Sequence, residues 1–163
     1  MWRWKVGQTT NDVNVQELIE EVLEDRHAGP ERERMRIAVE DSVLTVRVDP
    51  ALLAMILTQY IDNARKYSTP GTPIEIKASM SHGEVLFSVH DFGSTIRIED
   101  RERIFDRFYR SEDLKDTVPG TGIGLAVVRR AAEAHHGHVW VIGGDKEGTT
   151  FFLSPPKGER RMY

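Results

Sequence analysis

The chain predicts a two-layer α/β sandwich, in which a mixed, largely antiparallel sheet is covered on one face by three helices. Three observations predict this. Helical and strand periodicities are interleaved along the 163 residues, and the strand patterns come as adjacent pairs, which favours antiparallel neighbours over a doubly wound sheet. The content of 39% hydrophobic and 29% charged residues is that of one soluble domain with room for a core.

The elements follow in order. After an irregular stretch over residues 1–11, "NVQELIEEVLED" sets Val15, Leu18, Ile19, Val22 and Leu23 at helical spacing, with Asn14 as cap and Glu17 three residues later. "RMRIAVE" and "VLTVRV" alternate around "EDS" and predict two strands. Asp49 and Pro50 open a second helix, whose buried face is Leu52, Leu53, Ile56, Leu57, Tyr60, Ile61 and Ala64. "STPGTP" ends it, and "IEIKASM" and "EVLFSVHD" form a hairpin across "SHG". Residues 93–121 hold no long regular pattern beyond a short helical segment in "DRERIFDRFYR", which is the signature of disorder or of a functional lid. A third helix runs to about His136, where Gly137 stops it, and "HVWVIGG" and "TTFFLSP" close the chain as a hairpin across "DKEG".

Several classes are excluded by composition. A net charge of −4 gives no basis for general nucleic-acid binding, and the absence of cysteine removes disulfides and thiolate metal sites while matching a reducing compartment. No apolar run reaches the length of a membrane span, and "MWRWKVGQTT" lacks the apolar centre of a signal peptide, so no membrane contact is expected of this chain.

Chemistry concentrates in three places. In "VPGTGIGLAVV", Gly120, Gly122 and Gly124 alternate and then run into the third helix, so the junction is either a flexible loop or a seat for phosphate at a helix N-terminus. It is not the lysine-containing phosphate loop, since Leu125 and Ala126 follow Gly124, nor the dinucleotide fingerprint, since the preceding "EDLKDTVP" is no strand. On the second helix Gln59, Asn63, Lys66 and Tyr67 share one face. That face is either simply solvated or a site where amide oxygens meet a hard cation and Lys66 meets phosphate. Asp91 ends an apolar strand before "FGST", either starting a turn or accepting from a buried amino group.

Four ordered motifs, "QYIDNARKYS", "DFGSTI", "RIFDRFYR" and "GTGIGL", resemble the N, G1, F and G2 boxes of the ATP-binding catalytic domain of sensor histidine kinases, over roughly residues 12–156. The resemblance implies the Bergerat-type ATP-binding fold with a mobile ATP lid over about 97–120, leaving 157–163 as a tail. It implies ATP and Mg²⁺ as cofactors, Asn63 and Gln59 as metal ligands, Lys66 on the phosphates and Tyr67 beside the nucleotide. Asp91 would take the adenine amino group and Gly93 would admit the base. Phe105 and Phe108 would anchor the lid, although an aromatic pair at this spacing also reads as core. Arg110 would reach the terminal phosphate, Gly120, Gly122 and Gly124 would wrap the triphosphate, and Ile96, Thr121, Ile123, Leu125 and Thr149 complete the implied nucleotide contacts.

The implied activity is transfer of the γ-phosphoryl group to a histidine on a dimerisation domain, with a response regulator downstream, by a cytoplasmic domain of a sensor that is itself soluble or membrane-anchored. Three departures stand out. Gln59 replaces the first asparagine of the N box, Thr95 replaces the second glycine of the G1 box, and none of His27, His82, His90, His135, His136 and His138 lies in a phosphoacceptor setting. The chain is therefore expected to be an excised catalytic domain or a module acting on another chain. A nucleotide-binding regulatory module without phosphoryl transfer is the alternative. A gyrase- or chaperone-type hydrolase ranks last, because Gln59 is no general base.

Overall fold

The computed structural model describes residues 10–26, 30–93, 98–101, 103–106, 124–143 and 148–155. Strand β1 (Asn11–Asn14) leads into helix α1 (Val15–Arg26), where the Asn14 side chain accepts from the Glu17 N–H at 3.1 Å, as the capping pattern predicts. A short helix α2 (Pro30–Arg34) precedes β2 (Met35–Val39) and β3 (Thr45–Val48). Helix α3 (Pro50–Tyr67), the hairpin β4 (Ile74–Ser81) and β5 (Glu84–Asp91), helix α4 (Gly124–Ala134) and the pair β6 (His138–Gly143) and β7 (Thr149–Ser154) complete the order.

Five strands form one sheet in the order β2-β4-β5-β7-β6, antiparallel except for the β2–β4 pair. Helix α3 lies against β4 and β5, α1 against α3 and β2, and α4 against α3 and β6. The predicted apolar stripes are the buried ones, with all seven residues of the α3 face and all five of the α1 face at 8% exposure or less. Each large aliphatic side chain taken from water this way contributes about 1.5–3 kcal/mol before entropy is counted. From the sheet, alternate residues Ile74, Ile76 and Ala78, then Phe87 and Val89, then Phe151 and Leu153 fill the other half of the core. Tyr60 spans both layers: its ring packs tilted at 34° against Phe151 with centroids 5.0 Å apart, and its hydroxyl, whose pKa burial raises well above the ordinary range, donates to the Phe152 carbonyl at 2.7 Å.

Two features depart from the expected pattern. Strands β2 and β3 do not pair with each other. A 3₁₀ turn at Asp41–Val43 buries Val43 completely and redirects the chain, so β3 pairs antiparallel with β1 in a separate two-stranded sheet. Strand β2 instead lies parallel to β4, the pairing that a helical crossover permits and a short turn does not. The segment expected to be a short helix, 100–110, contains one 3₁₀ turn, Arg103–Phe105, among its described residues, and another, Ile98–Asp100, ends on its first residue.

The end of α4 also differs. The residue with positive φ is His136 (φ 62°), while Gly137 is needed for space, since a Cβ there would stand 2.9 Å from the Ser154 carbonyl oxygen. A non-glycine residue in the left-handed region costs about 1–2 kcal/mol, offset in part by glycine's larger unfolded-state entropy. His136→Gly is expected to stabilise the chain by about 0.5–1 kcal/mol in chemical denaturation, and Gly137→Ala to destabilise it.

Candidate functional site

Helix α3 sets the site. The Asp49 side chain accepts from the backbone N–H groups of Ala51 and Leu52 at 2.9 and 3.3 Å, and Pro50 pre-forms the first turn. With the apolar stripe committed to the core, the opposite edge leaves Gln59, Asn63 and Tyr67 half-buried and Lys66 exposed. From Gln59 to Tyr67 this polar edge runs about 12 Å along the helix axis. Among the described residues, no three His, Cys, Asp or Glu side chains converge as a metal cage. The amide oxygens of Gln59 and Asn63 are of the neutral oxygen type that suits a hard ion.

Both ends of that edge press on glycines. A Cβ on Gly124, at the start of α4, would run into Oε1 of Gln59. A Cβ on Gly93 would collide with the carbonyl oxygen of Tyr67 and lie 2.8 Å from Cα of Ser68. Ser68 and Gly93 form an antiparallel bridge, and the Thr69 N–H donates to the Phe92 carbonyl at 3.2 Å. The bareness of Gly93 is thus demanded by the end of α3.

The strand ends align the rest. In register across the sheet lie Met35, Ile74, Asp91, Thr149 and Gly143, one residue from each strand. Asp91 takes the place in this row that Phe87 and Val89 take in the core, facing the helices, and only 2% of it is exposed. Its carboxylate accepts from the Gly93 N–H, yet Oδ1 has no partner among the described residues. Burial pushes its pKa from the ordinary 3.8 up to about 7, opposed by the Gly93 hydrogen bond and the positive charge of Arg34. Thr149 is buried beside it, and Gly148 (φ 82°) passes so near that a Cβ would meet the Asp91 carbonyl. An oxygen denied both water and a donor is a receptor for a donor that arrives with a ligand.

Phe105, expected to anchor a lid, is 3% exposed and packs edge-on to Phe151 at 6.2 Å. The Arg129 guanidinium of α4 covers its ring at 5.3 Å and pairs with Asp106 at 3.1 Å. Leu125 is half-buried in the first turn of α4. Ile96, Phe108, Arg110, Gly120, Thr121, Gly122 and Ile123 lie outside the described residues, as do Thr95 and most of the lid expected over 97–120. The structure thus brings together Gln59 with Gly124, and Tyr67 with Gly93, whose N–H is bonded to Asp91.

Sequence reasoning missed Arg34 and Gly148. Arg34 sits in the charged run "PERERMR", which reads as a solvated face, and its partners are up to 38 residues away. Gly148 carried a signal in the hairpin pattern "DKEGTT", but only its turn role was visible.

Comparison with known proteins agrees with this fold. The profile of the family described as "Histidine kinase-, DNA gyrase B-, and HSP90-like ATPase" matches residues 48–159. Sensor protein KdpD of Clostridium acetobutylicum is 29% identical over 144 residues, covering 88% of this chain and 16% of KdpD. Sensor histidine kinase WalK of Bacillus subtilis is 34% identical over 124 residues, covering 74% of this chain and 20% of WalK. The chain therefore spans a minor part of the curated relatives it matches. Among solved structures, full-length ShkA in complex with AMPPNP superposes with a TM-score of 0.76 at 29% identity, over 94% of this chain and 32% of ShkA. The nucleotide-free catalytic domain of histidine kinase ThkA gives 0.74 at 25% identity, over 92% of this chain and 97% of that domain. Among the described residues, no helix is long and apolar enough to cross a membrane. The mixed sheet, the helical layer and these matches together establish that the chain belongs to the histidine kinase-, DNA gyrase B-, and HSP90-like ATPase family, as an ATP-binding domain of its histidine-kinase branch.

Proposed function

We propose that this chain holds Mg·ATP along the polar edge of α3, with adenine at Asp91 and the phosphates toward Gln59 and α4, and passes the γ-phosphoryl group to a histidine on a dimerisation domain outside this sequence. The observation that carries the reading is the buried, unpartnered Oδ1 of Asp91 at one end of an edge whose other end abuts the N-terminus of α4. The adenine amino group donates to that oxygen. Toward the other end, the Asn63 and Gln59 amide oxygens would hold Mg²⁺, which neutralises charge on the phosphates, and the Lys66 ammonium stands as a point charge for them. In the transfer, the bond from Pγ to the bridging oxygen breaks with ADP leaving. The lone pair of the imidazole's unprotonated nitrogen forms the bond to Pγ, and the resulting imidazolium gives up the proton on its other ring nitrogen to water. This chain's part is positioning and charge stabilisation. Arg110 and the glycines at 120 and 122 belong to the proposal on the resemblance of their motifs alone, as does a response regulator that receives the phosphoryl group next.

Asp91→Asn is expected to weaken ATP binding by about 1–3 kcal/mol through loss of a charge-assisted bond, and the parent is expected to prefer ATP to GTP. Calorimetry in which the variant binds as tightly as the parent overturns the adenine assignment. Because the free carboxyl titrates near 7 and the amino donor favours the carboxylate, binding below that pH must release a proton. Affinity should therefore fall as pH drops below about 7, with proton release seen in buffers of different ionisation enthalpy, and Asp91→Asn should flatten the profile. The same shift has the opposite sign for the nucleotide-free fold. With a folded pKa near 7 against 3.8 unfolded, its stability contribution is full below 3.8 and is lost as pH rises through 7.

Asn63→Ala should lower ATP affinity chiefly when Mg²⁺ is present, and Lys66→Ala should weaken ATP more than adenosine; equal losses with and without the metal, or for both ligands, would remove those roles. Phosphoryl transfer itself is tested by incubating the chain with Mg·ATP labelled at the γ-position and a histidine-bearing dimerisation domain. Label on the histidine supports the kinase reading. ATP bound without label on any such domain points to a regulatory nucleotide module.

A further inference from the structure

Resting on the adenine reading above, we propose that Arg34 is a positioning and specificity-determining residue for the base, acting through Asp91 without touching nucleotide itself. Arg34 stands immediately before Met35, the first member of the strand-end row that contains Asp91. Its side chain is 12% exposed, and its guanidinium is spent almost wholly on one turn. Nε donates to the Thr72 carbonyl at 2.9 Å, and one terminal nitrogen donates to the Ser68 hydroxyl at 2.5 Å and to the Thr69 carbonyl at 3.5 Å. The other donates to Glu31 at 3.0 Å, and Glu31 also accepts from Arg65 of α3 at 3.4 Å.

That turn is the one stitched to the end of β5. Ser68 bridges Gly93, Thr69 bonds Phe92, and Gly93 gives its N–H to Asp91. A single planar fork therefore fixes both the backbone behind Asp91 and a positive charge near it, which a flexible ammonium cannot do with equal geometry. The charge opposes the burial that neutralises the carboxyl, so Arg34 keeps Asp91 in the form that accepts from adenine and repels the carbonyl of guanine.

The test is a double-mutant cycle on nucleotide affinity. Arg34→Met, which keeps the stem and removes charge and donors, is expected to weaken adenosine and Mg·ATP by the same factor, about tenfold for the loss of a nearby charge in a partly buried setting. It should also narrow the preference for ATP over GTP. In an Asp91→Asn background the same change should have little further effect, and Arg34→Lys should restore the part of the loss that is due to charge. Should Arg34→Met not fold, Arg34→Lys and Arg34→Gln carry the comparison, the lysine retaining ATP preference and the glutamine losing it. Equal losses in the two backgrounds, or a loss confined to Mg·ATP with adenosine unchanged, overturn the proposal. If Asp91→Asn alone costs nothing, the adenine reading fails first and takes this proposal with it, so the two failures are distinguishable.

Discussion

The position of α3 on the sheet hangs on one contact: the Tyr67 carbonyl fills the space that a side chain at Gly93 would need. Close approach there lets Ser68 pair with Gly93 and Thr69 with Phe92, so the last turn of the helix continues into the edge of a strand end. Everything the site requires follows from that join. Asp91 is brought two residues from the helix terminus, and the polar edge of α3 becomes a ruler that starts at the carboxylate. Its far end is set by a second close contact, Gln59 against Gly124, so α4 begins a fixed distance along the same ruler. Two glycines thus mark the two ends of that polar edge.

Glycine serves distance more than conformation in this fold. Gly71 and Gly83 lie in turns at positive φ, Gly83 directly after His82 at φ 50° in the tip of the β4–β5 hairpin, the mirror-image turn that strand twist prefers. Gly93, Gly124 and Gly137 have no such φ, and what they provide is the absence of a side chain where another chain segment passes. Gly148 provides both, at φ 82° and against the Asp91 backbone. An expectation framed around a ligand approaching bare backbone needs this addition, because at Gly93 and Gly124 the protein's own α3 already occupies the approach.

The legible parts of the molecule are those whose causes are local. The stripe from Leu52 to Ala64 and the stripe from Val15 to Leu23 are periodic, and both are buried as their spacing predicts. The Asn14 and Asp49 caps are two- and three-residue relations and are present. The pairing of β2 was not legible, because its alternation is the same whether it turns back on β3 or lies parallel to β4; the buried Val43 that decides between them is one apolar residue in a short loop. Asp91 was legible as an acidic residue ending an apolar strand, but its unpartnered oxygen was not. Arg34 was invisible, since three of its four hydrogen bonds go to a turn more than thirty residues ahead, the fourth going to Glu31.

Burial of Asp91 works against the folded chain and in favour of selection. A carboxyl oxygen without partner or water costs about 1–3 kcal/mol, a cost a fold retains where a ligand relieves it. Relief depends on the sign of the group that arrives. On the proposed reading an exocyclic amino group would supply the missing donor, while a carbonyl in its place would set two acceptors face to face at an oxygen already buried from water, so rejection would exceed what attraction alone gives. That asymmetry exists only while the carboxyl is ionised, since a protonated one donates to a carbonyl as readily as it accepts from an amine. With burial holding its pKa near 7, the proposed discrimination between the two purines would be poised at the edge of failure, with the Gly93 N–H and then the Arg34 guanidinium drawing the carboxyl toward the ionised form.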